Sequence, residues 1–492
     1  MLSALDLIVI GVYLAGTVAL GLWYGGRQRD AADYFTSGGG MKGAFRGLLV
    51  GLSIAATLFS GISFLAYPSI VFQYGLAVLV GLMSFPICWV LMRSVLIPRY
   101  LAASRIEPYR VIEDRFGVGV RTVAAIMFLL LRVGWMSALI YAPTTALIGA
   151  ADLGVHWFWP MALTIGLAST LYSSISGIRG VIVTDALQFV VIFGALVLVV
   201  GIIFLRMPVP VAEAWAAMSD SDQPAVWRWS LDPSEPFTVW SVMFGFTVAN
   251  LAAYGADQMS LQRYLACGDT RSASQSFLVN IVGVMVVITL LGAVGVGLAM
   301  WYAGQSTIPT TPDQLFPRFI AEQLPAGVTG LVFAAILAAT MSSMTSGINT
   351  LSATLTFDLR ARFGSPMTDQ QQLRFARWTS LCIGVAATVL AGAVAHLGDI
   401  FDIAQTLLGV FLGPLLGCLV LSLYRFGLRP AAVAIGMVIG GVAGWAVAFS
   451  PAFSLWVAPA ALAATLITAA LGSWLWPIGT EQPADQKLGA AE

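Results

Sequence analysis

The stretch ATMSSMTSGIN, Ala339 to Asn349, lies inside a long apolar run that begins near Val328. It carries four hydroxyl side chains in five positions: Ser342, Ser343, Thr345 and Ser346. On an α-helix the first, third and fourth of them share one face, because residues three and four apart are neighbours. The carbonyl oxygen of Ala339 lies one turn earlier, so several neutral oxygens fall within one turn.

This cluster of oxygens indicates a site for a small hard cation, which prefers oxygen ligands. Neutral hydroxyl and carbonyl ligands suit a monovalent ion that has to be released again. A structural role is the alternative, because serine and threonine in membrane helices often bond back to a carbonyl or support close packing. The number of hydroxyls in one turn favours the ion.

The composition is that of an integral membrane protein. Of the 492 residues, 59% are hydrophobic and 10% are charged, whereas a soluble domain carries about 25% charged residues. The formal net charge is zero, so the charge balance gives no support to a nucleic-acid partner. The four cysteines are widely scattered and the two histidines lie in short connections, which predicts neither a disulfide framework nor a zinc site.

A spanning helix needs about 20 mostly apolar residues, and by that rule the chain is predicted to cross the bilayer about thirteen times. The first run is too long for a signal peptide and many others follow it. We predict one transmembrane domain over residues 1–478 and a short cytoplasmic tail over 479–492. The predicted spans are 5–25, 44–73, 75–98, 119–150, 157–176, 180–206, 237–266, 274–302, 326–356, 376–396, 400–424, 430–449 and 453–476.

The arginine and lysine residues near the ends of these spans and between them fall mainly on one side of the predicted bundle. That side includes Arg121 and Arg263, whereas the other side has little beyond Arg206, Arg228 and Arg318. Cytoplasmic loops carry the excess of positive residues. The pattern predicts an N-terminus outside the cell and a C-terminus in the cytoplasm, for a multi-pass protein of the cell membrane.

Two of the spans, 44–73 and 237–266, are unusually long. Each has a glycine near its middle, Gly61 in LFSGISF and Gly255 in AYGADQ, next to polar residues. Glycine-interrupted helices at matching positions in two halves of a chain are typical of inverted-repeat transporters. A broken helix exposes backbone groups, which membrane depth tolerates only around a protein-lined site. Two ordinary long, tilted helices are the alternative.

An acidic residue lies just inside another span. Asp185 occurs in SGIRGVIVTDALQFVV, and a carboxylate within a membrane is costly and indicates a functional site by default. If it faces the hydroxyl cluster, it supplies negative charge for a cation. The alternative is a buried carboxylate that pairs with Arg179 or caps a helix.

Four stretches of the chain, in order, are DYFTSGGG, SGIRGVIVTDALQ, DQMSLQRYLA and AAILAATMSSMTSGINTLSAT. Together they resemble the sodium:solute symporter family, which includes sodium/glucose cotransporters and bacterial sialic acid and proline transporters. The resemblance extends over about residues 5–475. It implies an all-α, leucine-transporter-type fold of ten core helices in two inverted repeats, with two discontinuous helices. The core would run from about 44 to 424, with one further helix before it and two after it.

The same resemblance implies sodium as the coupling ion. Its primary site would use the carbonyl oxygens of Ala56, Phe59 and Ala339 and the hydroxyls of Ser342 and Ser343. Some members have a second site, and the matching positions here are Asp185, Ser342, Thr345 and Ser346. One-sodium sugar transporters can lack a hydroxyl where Thr345 stands. We therefore predict two sodium ions for each imported solute.

The solute is less well defined by the sequence. Polar and aromatic residues near the two predicted breaks or in neighbouring spans are candidates for its site: Ser60, Ser63, Arg132, Trp135, Asp257, Gln258, Asn280 and Gln405. Helix packing is the alternative role for each. The sialic acid branch has an arginine where Trp135 stands, which argues against a sialic acid site of that kind.

Arg132 lies one turn before Trp135 and pairs either with an organic anion or with a carboxylate of the protein. The stretch IYAPTTAL also resembles the branch that carries monocarboxylates, iodide and vitamins. The sequence leaves a monocarboxylate-like anion and a sugar open as solutes.

Other functions fit the sequence less well than sodium-coupled import by alternating access. A membrane enzyme would need a nucleophile with its base or a metal cluster in the spans, and the sequence offers neither. A sensor usually has a cytoplasmic signalling domain, and this sequence ends about fifteen residues after its last predicted span. The sequence indicates no obligate protein partner. Proton coupling in the same fold, with Asp185 as the proton carrier, is the alternative mechanism, and it would give transport a pH optimum near the carboxylate's pKa.

Overall fold

The computed structural model describes residues 2–25, 45–103, 108–219, 226–303, 312–360, 364, 367–394, 400–424 and 426–475. All regular structure in these ranges is helical, as predicted. The motif DYFTSGGG and the predicted tail 479–492 lie outside the described residues.

Seventeen α-helices lie in the described ranges, and some are continued by short 3₁₀ or π turns. The helices are α1 Ala4–Gly25, α2 Phe45–Leu58, α3 Gly61–Tyr74, α4 Ser84–Leu91, α5 Ile97–Ala103, α6 Arg110–Ala150, α7 Phe158–Leu205, α8 Val211–Ser219, α9 Phe246–Gly255, α10 Gln258–Cys267, α11 Thr270–Tyr302, α12 Pro312–Gln323, α13 Val328–Ala353, α14 Asp369–Val394, α15 Ile400–Leu423, α16 Pro430–Ala448 and α17 Val457–Leu475. The turns are Gly75–Met83, Met92–Leu96, Val155–Trp157, Ser241–Gly245, Thr354–Arg360 and Ser454–Trp456.

Ten helical segments of the described chain are long and apolar enough to cross a membrane. This is fewer than the thirteen predicted spans, for three local reasons. A short helical break splits each of the two long spans, so Leu48–Leu58 and Ser241–Gly255 are too short to qualify alone. The helices after the first break run on without interruption from Gly61 to Ala103. The spans predicted at 157–176 and 180–206 both fall within α7.

Helix α7 contacts α13 at two points. Ser173 donates to the carbonyl oxygen of Thr345 at 3.1 Å, and the Asp185 carboxylate accepts from Ser346 at 3.3 Å.

Helix α13 forms the centre of the bundle. Every residue from Val332 to Ala353 is buried, and the helix packs against α1, α2, α3, α6, α7 and α14. A helix that is surrounded by other helices carries apolar or small polar side chains on all of its faces and is not amphipathic. Its many alanine, serine, threonine and glycine side chains are short, which lets neighbouring helices approach closely. The hydroxyl cluster thus lies far from lipid.

Both long spans are interrupted, as their glycines predicted. Helix α2 ends at Leu58 and α3 begins at Gly61, with the Ser60 hydroxyl accepting from the Ser63 amide at the start of α3. A Cβ atom on Gly61 would collide with the hydroxyl of Thr340, so the break presses directly against α13. Close backbone approach of this kind needs glycine.

The second break lies between α9 and α10. Helix α9 ends at Gly255, and the Asp257 carboxylate caps α10 by accepting from the Met259 amide at 2.9 Å. A carboxylate at a helix N-terminus satisfies an amide that has no partner within the helix. The Tyr109 hydroxyl donates to the freed carbonyl of Ala256 at 3.0 Å. A side chain of the break itself and one from just before α6 therefore complete this break.

Two arginines that the sequence analysis placed between spans are buried. Arg121 lies in α6, is 1% exposed and pairs with Glu113 at 2.7 Å. Arg263 lies in α10 and is 2% exposed. The prediction of a loop position for these two residues was wrong, because charge alone does not tell a loop arginine from one that meets carboxylates inside the bundle.

The N-terminus of α13 is capped from the other end of the chain. One oxygen of the Asp6 carboxylate, in α1, accepts from the amides of Gly327 and Gly330 at 2.7 Å each. Its second oxygen accepts from the amide and hydroxyl of Ser3 at 2.8 and 2.6 Å. The carboxylate also complements the positive end of the α13 dipole.

Replacing Asp6 by asparagine is expected to destabilise the protein by about 1–3 kcal/mol, because one amide oxygen cannot accept on both sides and carries no charge. The loss is measured as a lower melting temperature of the purified protein in detergent. Asp369→Asn, at an exposed first-turn position of α14, is the matched control and should melt like the wild type. Equal melting of Asp6→Asn and the control would contradict a capping role.

Candidate functional site

The last turn of α2 meets the hydroxyl cluster of α13. Ser342 donates to the carbonyl oxygens of Ala56 and Ala339 at 2.7 and 3.0 Å. Ser343 donates to the carbonyl oxygen of Thr57 at 2.6 Å. The last carbonyls of a helix have no partner within it, so the break leaves these oxygens to α13. The result is a buried group of neutral oxygens between two helices.

The structure brings most of the predicted primary ion ligands together. The Ala56 and Ala339 carbonyls share the Ser342 hydroxyl, and Ser343 lies beside them on the next carbonyl of α2. Phe59 lies in the break itself, and its side chain lines the adjoining cavity. All five residues are at most 3% exposed.

The residues of the predicted second ion site do not all contact one another. Asp185 Oδ2 accepts from Ser53 and Thr57 of α2 at 2.9 and 3.0 Å and lies 3.3 Å from the Ser346 hydroxyl. Thr345 instead donates to the Ser342 carbonyl at 3.2 Å. Asp185 Oδ1 is buried and has no hydrogen-bond partner among the described residues. A buried carboxylate oxygen without a donor is rare and calls for an explanation.

Arg263 is one of three residues at this site, with Ser53 and Thr57, that the sequence did not predict. Its guanidinium group donates five hydrogen bonds to groups from α2, α7, α10 and α13: Ser53 at 3.0 Å, Thr57 at 2.7 Å, Ser346 at 2.6 Å, Asp185 at 2.9 Å and the Met259 carbonyl at 2.9 Å. Asp185 therefore pairs with Arg263. The available signal was the motif DQMSLQRYLA, in which Arg263 follows the second break by less than two turns.

A cavity of about 130 Å³ opens between the two breaks. Its walls are mainly aromatic and apolar, and they include Phe59, Phe85, Phe246 and Phe401. Of the predicted solute residues, five line it: Ser63, Arg132, Trp135, Asp257 and Gln405. Asn250, Tyr67 and Tyr254 line it as well and were not predicted.

Three predicted solute residues lie outside the cavity lining. Ser60 caps α3. Gln258 accepts from the Thr354 hydroxyl at 2.8 Å, and Asn280 is fully buried in α11. Of these three, Gln258 bonds to another helical segment, whereas the Ser60 contact lies within its own half-helix.

Arg132 and Asp257 form an ion pair at the wall of the cavity. Their side chains are 3% and 1% exposed, so both charges are removed from water. Asp257 also holds the start of α10, which ties the arginine to the second break. The Arg132 Nε–H group is buried and has no hydrogen-bond partner among the described residues. It is the free donor of a cationic group beside the cavity.

A family model for the sodium:solute symporter family matches residues 34–440. The chain belongs to the sodium:solute symporter family. It is therefore a sodium-coupled symporter that carries a small solute across the membrane as a multi-pass membrane protein. Members of this family are transporters and not enzymes, in agreement with the sequence analysis.

Individual relatives belong to several branches. The chain is 27% identical to the sodium-coupled monocarboxylate transporter 1 of Xenopus laevis, over 92% of this chain and 71% of that protein. It is 28% identical to the sodium/iodide cotransporter of Homo sapiens, over 94% and 70%. It is also 28% identical to the sodium/sialic acid symporter NanT of Aliivibrio fischeri, over 86% and 83%. These near-equal values do not select a solute.

Solved structures share the symporter's fold. An outward-open, substrate-bound sodium-coupled sialic acid symporter matches with a TM-score of 0.86 at 24% identity, over 96% of this chain and 98% of that one. The nucleobase-cation-symport-1 transporter Mhp1 in a closed conformation matches with a TM-score of 0.57 at 11% identity, over 87% and 92%. At these identities the likeness concerns the fold alone.

Removal of one charge from the Arg132–Asp257 pair tests how much the pair contributes to the stability of the protein. Asp257→Asn is expected to destabilise the symporter by roughly 3–5 kcal/mol, because it leaves a buried guanidinium without a counter-charge. The double variant Arg132→Gln/Asp257→Asn removes both charges and should recover much of the lost melting temperature. A double variant that melts below Asp257→Asn would contradict the pairing.

Proposed function

We propose that this symporter imports a small organic solute, with a monocarboxylate-like anion as the first candidate, together with two sodium ions in each cycle. The observation that carries the ion part is the contact of the α2 carbonyls with the Ser342 and Ser343 hydroxyls. In the proposed primary site, the carbonyls of Ala56, Phe59 and Ala339 and these two hydroxyls replace the water around sodium. The hydroxyls turn their hydrogens away when the ion binds.

The proposed second site uses Asp185, Ser342, Thr345 and Ser346. The unpartnered Asp185 Oδ1 supports it, because a cation gives that buried oxygen the partner it lacks. A proton on the same oxygen is the competing explanation and corresponds to proton coupling. The two differ in what they require of the medium, since only the sodium site responds to sodium at constant pH.

The cavity supports a small anionic solute. Its volume suits a molecule of a few heavy atoms, its walls are largely apolar, and the Arg132 Nε–H offers a charge-assisted hydrogen bond to a carboxylate. A relative that is a sodium-coupled monocarboxylate transporter agrees with this class. A sugar is the second candidate, supported by the neutral polar groups of Ser63, Asn250 and Gln405 in the same lining.

Coupling follows from shared preference for one conformation. An ion and a solute that both bind the outward-open state raise each other's affinity by the same factor. The membrane potential contributes about 2.3 kcal/mol per charge per 100 mV, so two sodium ions drive accumulation of the solute inside.

We further propose the topology that the sequence predicts. Thirteen spans would form a single transmembrane domain over 1–478, with an inverted-repeat core at about 44–424. The N-terminus would lie outside and the tail 479–492 in the cytoplasm. The two helical breaks support the repeat, since each would be the same element of its half of the chain.

The sodium sites are tested by thermal unfolding in sodium, potassium and choline chloride at equal ionic strength. A ligand of the folded state raises its stability by mass action, so sodium should raise the wild-type melting temperature specifically. Ser343→Ala should lose most of this rise. Ser352→Ala, on the same helix but bonded to the Ala376 carbonyl of α14, is the control and should keep it.

The number of sodium ions is tested by uptake kinetics. Thr345→Ala is expected to lower the sodium Hill coefficient from near two towards one, because it removes a ligand of the second site only. An unchanged coefficient would remove the second site from the proposal. Equal wild-type melting in all three salts, together with uptake that needs no sodium, would favour proton coupling.

The solute class is tested in proteoliposomes with an inward sodium gradient. Labelled short monocarboxylates are expected to accumulate with the wild type and not with Arg132→Gln/Asp257→Asn, which keeps the cavity but lacks its cation. Hexoses are compared at the same concentration. Accumulation of a hexose by both proteins, without monocarboxylate uptake, would establish the sugar and reject the anion.

A further inference from the structure

Arg263 places a permanent positive charge inside the proposed second ion site. We propose that Arg263 is a resident counter-charge for Asp185, which neutralises the carboxylate when no ion is bound and lowers the affinity of sodium when one is. This inference rests on the proposed second site. It assigns a role in ion binding to a residue that is not itself an ion ligand.

Asp185 and Arg263 form a buried pair of opposite charges. Asp185 is 0% and Arg263 2% exposed, and an isolated charge at such a position costs several kcal/mol. Their 2.9 Å contact makes the unit neutral without any ion from solution. The empty site is therefore a low-energy state of the protein, and sodium is not required to hold Asp185 in place.

The two carboxylate oxygens of Asp185 have different surroundings. Arg263 bonds only to Oδ2, and Oδ1 has no partner among the described residues. Sodium can therefore approach Asp185 without displacing the guanidinium group. The unit then has one negative and two positive charges, so the two cations repel each other within a buried volume where screening by salt is weak.

Arg263 also donates hydrogen bonds to hydroxyl groups of the proposed second site and its surroundings. The Ser346 oxygen, a proposed ligand of the second sodium, already accepts from Arg263 at 2.6 Å. The Thr57 hydroxyl accepts from the same nitrogen at 2.7 Å and lies 3.1 Å from the Ser346 hydroxyl. Lone pairs that face a guanidinium are less available to a second cation. Arg263 therefore weakens the site through its ligands as well as through charge.

A weak second site has a function in a transport cycle. A coupling ion has to leave into the cell, and a buried carboxylate that faced sodium alone would hold it strongly. A charge that remains with the protein restores neutrality at the moment the ion departs. Arg263 lies in α10 after the second break and bonds to Ser53 and Thr57 before the first, so relative movement of these half-helices would change its hold on Asp185.

The test compares the sodium dependence of melting temperature for the wild type, Arg263→Gln and Arg263→Lys. In Arg263→Gln sodium becomes the only counter-charge of Asp185. We expect the sodium concentration at half-maximal stabilisation to fall roughly tenfold, since a lost repulsion of this kind is worth a factor of ten or more. In choline chloride the variant should melt below the wild type, and high sodium should recover most of the difference. Arg263→Lys keeps the charge and should restore a sodium midpoint close to that of the wild type.

A purely structural role predicts a different pattern. Arg263→Gln would then lower the melting temperature equally in sodium and choline and leave the sodium midpoint unchanged, which overturns the inference. A variant that stays unfolded even in high sodium overturns it too, because sodium is expected to replace the missing charge. In an Asp185→Asn background, Arg263→Gln should have no further effect on the sodium midpoint.

The outcome also separates this inference from the proposed function. A wild type without sodium-specific stabilisation, or a Thr345→Ala variant with an unchanged Hill coefficient, rejects the second sodium site itself. A sodium-dependent wild type that loses its second ion in Thr345→Ala, but keeps its midpoint in Arg263→Gln, rejects only the role of Arg263.

Discussion

Backbone carbonyl oxygens that have lost their helical partners are the constraint on which this structure depends. Inside a bilayer such oxygens have no water to bond to, so a helix that stops at Leu58 needs donors from elsewhere. Helix α13 provides them through Ser342 and Ser343. That requirement is one reason why α13, which is buried from Val332 to Ala353, carries hydroxyls on the side that faces α2. It also explains why the α2–α13 contact, rather than either helix alone, forms the candidate ion site.

Buried charges near the two breaks are also satisfied by partners from distant parts of the chain. Two arginine–aspartate pairs lie near the breaks: Arg132 with Asp257 beside the cavity, and Arg263 with Asp185 beside the hydroxyl cluster. Each pair joins helices that are distant in sequence. Because breaking a buried pair is costly while a complete pair is nearly neutral, these contacts favour defined arrangements of the half-helices. Among the described residues, the Arg132 Nε–H group and Asp185 Oδ1 have no hydrogen-bond partner.

The sequence predicted those features that depend on short-range pattern. Long apolar runs gave the all-helical fold, and glycine next to polar residues located both breaks within a few residues. The hydroxyl spacing in ATMSSMTSGIN placed three oxygens on one face, because helical periodicity fixes that relation. Partners across the bundle were not predictable in this way. Arg263 lies near the end of an apolar run, where an arginine usually marks a loop, and only the fold reveals that it turns inward to Asp185. Likewise Asn280 and Gln405 have similar sequence settings, yet only Gln405 lines the cavity, because the rotation of each helix is set by its packing.

The cap on α13 has a consequence for any attempt to reduce this transporter to its core. Helix α1 precedes the first broken helix, and its Asp6 accepts hydrogen bonds from the amides at the start of the serine-rich helix. The N-cap position of α13 is itself poorly suited to a capping side chain. Gly327 occupies it with φ of 85°, a conformation that the usual serine, threonine or aspartate caps avoid. A minimal version that begins at the first broken helix would therefore need a redesigned entry into α13. Helix α1 therefore stabilises, from a distant part of the chain, the start of the helix that carries the proposed ion ligands.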